Sequence, residues 1–158
     1  MSGDTVIIGL GNPLLSDDGV GIAVAMKVAE QLQGRLEVTV KELHTGGIRL
    51  MEAIAGFRRA VVVDAMVTGG EPGTIHCFGP DGLLPTKNSF SSHDTDFATA
   101  CSLGRLAGLC LPESVSFWGI EARDYDTFGS DFSPAVATAL PRAVQRIAAA
   151  MLAQEGAE

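Results

Sequence analysis

The chain has 158 residues, of which 46% are hydrophobic, so it is long and apolar enough for one domain with a sizeable core and is not a disordered polymer. Its formal net charge of -8 and pI near 4.7 argue against a general grip on nucleic acid or on an anionic membrane, because both need a basic face. No apolar run is long enough to span a bilayer, and the opening MSGDTVIIGLG carries an acid where a secretory signal would carry bases, so a cytoplasmic location is expected.

Apolar periodicity then predicts the elements in order. Thr5 to Gly9 reads as a buried strand, and Gly19 to Gln33 as a helix ending before Gly34. Leu36 to Leu43 alternates as a strand does, and Ile48 to Phe57 forms a short helix. Ala60 to Asp64 (AVVVD) is a second buried strand, and Thr74 to Phe78 a short one after the turn signal GGEPG. Gly79 to Ser92 is a polar loop, His93 to Gly108 a helix, and Ser114 to Ile120 a strand. Glu121 to Pro134 is a long loop, Pro134 to Gln154 is the last helix, and the tail beyond it is expected to fray. The order β-α-β-α-β-β-α-β-α, with no repeat or linker, predicts a single α/β domain over residues 1–158 whose mostly parallel sheet is covered on both faces. Cys77, Cys101 and Cys110 are odd in number and form no CxxC pair, so they read as buried free thiols.

In such a sheet, ligands bind beyond the carboxyl ends of the strands. The segments to inspect are therefore Asn12 to Asp18, His44 to Gly47, Asp64 to Thr68 and Glu121 to Phe132, joined by the loop into the helix at His93. Gly9-Leu-Gly11 opens like a dinucleotide fingerprint, but Leu14 stands where its third glycine belongs, and no Walker lysine follows. The glycines are then a matter of tight turning and packing. Asp17 and Asp18 fall at the first helical turn. One of them, read as Asp17, suffices as a helix-capping acid, which leaves a carboxylate for the cleft. Asp64 ends a buried parallel strand and points toward the same edge. Ser91 and Asp94 match a capping box that places His93 in a first helical turn, where the neutral, metal-binding imidazole is favoured. Two carboxylates and one imidazole suit a divalent ion such as nickel or zinc. His44 lies in a loop that could reach them.

At these residues the sequence resembles the hydrogenase maturation endopeptidases, metal-dependent or aspartyl-type proteases that process the large subunit of nickel-iron hydrogenases. The matching pieces are Gly9-x-Gly11-Asn12-x-x-x-x-Asp17-Asp18-x-x-Gly21, the strand end Val62 to Ala65, Thr45-Gly46-Gly47, His93, and Ser133-Pro134 before the last helix. The resemblance implies a three-layer α/β/α sandwich with a five-stranded, mostly parallel mixed sheet, one strand antiparallel. It puts the family's metal-binding and catalytic trio on Asp18, Asp64 and His93. It implies that nickel arrives inside the large-subunit precursor and that a C-terminal extension is then removed. Nickel would either assist the hydrolysis or serve only as a recognition handle. The chain departs from the family at Glu42-Leu43-His44, where relatives often carry Asp-Gly-Gly or Asp-Gly-Ser; Glu42 remains a candidate acid, and the role of His44 is open. A nickel-sensing chaperone that does not cut is the alternative. The stretch GLGNP is also similar to peptidyl-tRNA hydrolases, but their T-R-H-N run is absent here.

Overall fold

The computed structural model describes residues 4–79 and 96–157. Strands β1 (Thr5–Leu10), β2 (Val38–Leu43), β3 (Arg59–Met66), β4 (Ile75–Phe78) and β5 (Ser114–Glu121) form one sheet in the order β2-β1-β3-β5-β4. The pairs β1–β2, β1–β3 and β3–β5 are parallel, and β4–β5 is antiparallel. Four helices complete the fold: α1 (Val20–Leu32), α2 (Gly47–Ile54), α3 (Phe97–Leu106) and α4 (Pro134–Gly156). The mixed sheet and the sandwich expected from the sequence are both present.

Strand alternation divides the core in two. Ile7, Val61, Val63, Ala65, Trp118 and Ile120 face one way and pack with α1 and α4. Val6, Ile8, Leu10, Ala60, Val62 and Phe117 face the other way, toward α2 and α3. β1 and β3 are buried along their whole length, so both read as continuous apolar runs and not as alternating ones.

Helix α1 lies close against the sheet because glycines remove side chains from the contact. A Cβ at Gly21 would collide with the carbonyl oxygen of Val63 and come within 2.7 Å of that of Leu10. A Cβ at Gly9 would meet the Cα of Ile22 at 2.5 Å. These glycines therefore serve packing, as the failed nucleotide fingerprints implied.

Several boundaries differ from the sequence reading. β3 runs two residues past Asp64, because Ala65 and Met66 continue the ladder with Ile120 and Glu121. α3 begins at Phe97 with Asp96 as its cap, the carboxylate accepting from the Thr99 amide at 2.7 Å, and so does not start at His93. The residues just beyond Gln154, expected to fray, are helical. α4 continues to Gly156, and Glu155 reaches the buried Arg59 guanidinium at 2.6 Å, fastening the helix to the start of β3. No described helix is long and apolar enough to cross a membrane.

Replacing Gly21 by alanine should lower stability by about 1–3 kcal/mol, because both obstructing atoms are backbone and cannot rotate away. The midpoint of thermal unfolding should drop by several degrees, on the order of 2–4 °C per kcal/mol at this size. A variant melting with the parent would show that α1 can lift off the sheet without cost.

Candidate functional site

The chain leaves β1 and turns at Gly11, whose φ of 141° is open to glycine and strained for other residues. A side chain there would also strike the Asp18 carbonyl. Asn12 then closes a turn, its Oδ1 accepting from the Leu14 amide at 3.0 Å and its carbonyl from the Leu15 amide at 3.1 Å. Ser16 takes a left-handed φ of 48° and is held there from across the molecule. Its amide donates to the Gly129 carbonyl at 2.8 Å and its hydroxyl to the Asp131 carbonyl at 2.7 Å. A 3-10 turn, Ser16–Gly19, follows and delivers Asp17 and Asp18, both buried.

The two adjacent acids have separate work. The Asp17 carboxylate accepts four hydrogen bonds, all from the far end of the chain. They come from the Arg123 and Asp124 amides at 2.9 Å each, the Ser133 amide at 2.7 Å and the Ser133 hydroxyl at 2.7 Å. Asp17 does not cap the helix it precedes, since neither the 3-10 turn nor α1 has a side-chain cap. It receives the donors at the head of α4 instead, where a negative charge also complements the helix dipole. The helix-capping acid expected from the sequence is thus a buried tie to the far end of the chain. Asp18 turns inward on its own, with Oδ2 accepting from the Asn12 amide at 3.0 Å.

Asp64 lies on the neighbouring strand. The β1–β3 ladder ends at the pair Gly9–Val63, so Asp64 is the first β3 residue past that ladder, still paired with Gly119 of β5. It is fully buried, and its Oδ1 accepts from the Ala65 amide at 2.8 Å. The 3-10 turn packs on β3, so Asp18 and Asp64 belong to touching elements at the carboxyl edge of the sheet. His93, the third member of the expected trio, lies outside the described residues. Among the described residues, no group of three or more His, Cys, Asp or Glu is placed to hold a metal ion.

Glu42 and His44 sit at the end of β2 and are both substantially exposed. The His44 Nδ1 is 2.7 Å from the Gly11 carbonyl oxygen, which can only accept, so Nδ1 carries the proton and donates it. The Nε2 is 3.8 Å from Glu42 Oε1. Glu121 was missed as a polar core residue. It is 1% exposed and clamps the loop after β3, accepting from the Thr68 amide and hydroxyl at 2.8 Å each. The rule that singled out Asp64, an acid at the end of a buried parallel strand, applies equally to SVSFWGIE.

The cysteines need correction: Cys101 is buried, but Cys77 and Cys110 are exposed. Burial pushes the Cys101 thiol up, with Arg105 opposing. What burial the Cys77 thiol has does the same, with Arg146 opposing. A cavity of about 260 Å³ bordered by Ile54, Phe97, Cys101, Arg105 and Val115 lies at the opposite, amino end of β5, away from the acids.

With this geometry in place, the comparisons are specific. The HycI model of hydrogenase maturation proteases matches residues 22–150. The hydrogenase expression/formation protein HupD of Rhodobacter capsulatus is 26% identical over 134 residues, covering 84% of this chain and 63% of that protein. The chain therefore spans under two thirds of that relative's length. The solved structure of the hydrogenase maturating endopeptidase HybD from E. coli superposes with a TM-score of 0.71 at 22% identity, over 93% of this chain and 91% of that one. The [NiFe] hydrogenase maturation protease HycI from Thermococcus kodakarensis KOD1 gives a TM-score of 0.64 at 25% identity, over 91% of this chain and 89% of its own.

Two outcomes follow from the site's chemistry. Asp17→Ala should destabilise by about 3–5 kcal/mol, because four donors around a buried carboxylate lose their acceptor. Asp17→Asn should not restore the loss, since its amide group would face donors. Denaturant unfolding checks both, and a cost under about 1 kcal/mol for either would contradict the tie. With its pKa raised, Cys77 should be mostly thiol at neutral pH. Its alkylation should be slower than that of free cysteine at the same pH, and the rate should level off only at a higher pH than free cysteine's does. Alkylation at neutral pH faster than free cysteine would reopen a thiol mechanism.

Proposed function

This chain belongs to the hydrogenase maturation protease family, and on that premise we propose that it is an endopeptidase that removes a C-terminal extension from the large-subunit precursor of a nickel-iron hydrogenase. The observation that carries the reading is the burial of two carboxylates, Asp18 and Asp64, on touching elements at one sheet edge. Burying ionised carboxylates costs several kcal/mol each unless something repays it. Asp17 and Glu121 hold distant loops by hydrogen bonds, while Asp18 accepts from the Asn12 amide and Asp64 from the Ala65 amide at the sheet edge itself. Two carboxylates together at a ligand-binding edge supply hard oxygen donors suited to a cation that a partner brings.

Nickel enters this scheme as cargo of the precursor. Asp18, Asp64 and His93 would face it when the two proteins dock, and that contact would set the scissile bond beside the acids. A carboxylate there can accept a proton from the attacking water as its oxygen bonds to the peptide carbonyl carbon. The carbon–nitrogen bond then breaks, and the proton passes to the departing amine. The same carboxylate would hold that water in line with the carbonyl carbon, so that the attack starts from a fixed geometry.

The test is a processing assay with purified chain and large-subunit precursor, followed by intact-mass spectrometry. Asp18→Asn and Asp64→Asn should keep the fold and lower processing by at least ~100-fold, the usual loss for a proton-transfer group. Nickel-loaded precursor should be cut and metal-free precursor should not. Normal processing by Asp64→Asn would sink the assignment, and a precursor left whole by the unmodified chain would make it a non-cleaving chaperone. Equal cleavage of both precursor forms would remove nickel as the recognition handle.

A further inference from the structure

His44 and Asp18 hold opposite ends of one peptide group. The His44 Nδ1–H donates to the Gly11 carbonyl at 2.7 Å, and the Asn12 amide donates to Asp18 Oδ2 at 3.0 Å. The Gly11 carbonyl and the Asn12 amide belong to the same planar trans unit, so they point to opposite sides. Fixing the oxygen fixes the direction of the N–H. A donor on the oxygen also polarises the group, which strengthens the bond given by its other end.

The unit needs such fixing. It follows a residue at φ 141°, where glycine offers no side chain to restrict rotation. The end of β2 restrains both sides of Gly11, the Leu43 carbonyl accepting from the Gly11 amide at 3.0 Å and His44 holding its oxygen. Glu42 stands 3.8 Å from the other ring nitrogen, beyond hydrogen-bond reach, so Nδ1 carries the ring's contact with the loop.

We propose that His44 is a positioning residue for the Asp18 carboxylate, acting from the outside of the loop through the Gly11–Asn12 peptide. It does not touch the reacting atoms. The role rests on the reading of Asp18 given above and deepens it. It accounts for an imidazole at an exposed position, where hydrophobic burial gives no reason for one.

Two isosteric probes separate the ring nitrogens. The Nδ2 of asparagine lies about where Nδ1 of histidine does, and the Nε2 of glutamine about where the histidine Nε2 does. The readouts are the Asn12 amide resonance of the full chain in proton–nitrogen correlation spectra, and kcat and KM for precursor processing. His44→Ala should shift the Asn12 amide upfield and lower kcat roughly 5- to 10-fold, the scale of one hydrogen bond, with KM and thermal midpoint little changed. His44→Asn should restore both the resonance and kcat, and His44→Gln should not. An unmoved Asn12 amide in His44→Ala, or an unchanged kcat, overturns the proposal. Rescue by glutamine alone also overturns it, since it would assign the work to Nε2. Asp18→Asn is run in parallel. If that variant stays active, the reading of Asp18 fails, while the Asn12 resonance still decides whether His44 orders the peptide.

Discussion

The carboxylate of Asp17 joins the beginning of the chain to its end. Its donors, Arg123, Asp124 and Ser133, span the loop that follows β5 and the first residues before α4. That loop is otherwise irregular, and a long connection needs partners for its backbone amides when it passes over a buried edge. The same carboxylate therefore does three things. It satisfies the loop amides, neutralises the positive end of a 23-residue helix, and fixes the 3-10 turn from which Asp18 projects. The short parallel bridge between Leu15 and Gly129 and the Ser16 bonds reinforce the union. Asp124 contributes on its own side, since Thr127, by hydroxyl and by amide, holds its carboxyl below the usual carboxylate range.

This arrangement explains what a strand-to-helix loop does with two acids where other α/β proteins hold a phosphate. A phosphate loop leaves its amides open toward an external anion. Here the anions are internal. The Asn12 amide is given to Asp18, and the loop after β5 gives its amides to Asp17. The loop amides that would face a phosphate are occupied by the chain's own carboxylates. Adjacent residues on a 3-10 turn point in different directions, so DD in sequence divides into one tie and one inward-facing group.

Much of this was legible in the sequence, and the misses have physical causes. The strands AVVVD and TVIIG, the helices between them and the sheet edge that gathers Asp18 and Asp64 follow from apolar patterning and the glycine spacing. Asp17 was misjudged because local rules see only a residue's neighbours, whereas its donors lie more than a hundred positions away. The start of α3 was misplaced because Ser91 and Asp94 match a capping box, whereas Asp96 is the residue that bonds the Thr99 amide. Glu121 escaped notice because it was assigned to a loop, one residue past the expected strand end. Cys77 and Cys110 were expected inside on residue type alone, but one lies on the edge strand β4 and the other in the turn before β5.

The cost of the site bears on why the rest of the fold is built so firmly. Asp17 and Asp18 on the 3-10 turn and Asp64 and Glu121 on the strands are at most 1% exposed, amid a core that is almost all apolar. Four buried acids in one small domain are a load that a marginally stable protein carries only if the surroundings compensate. Two of them compensate themselves by clamping loops. The other two accept from the Asn12 and Ala65 amides, on an edge held by the anchors that close the chain, Asp17 at one end of α4 and Glu155 at the other. The structural acids and the candidate catalytic acids are thus parts of one design. The first pair ties the loops around the edge on which the second pair is buried.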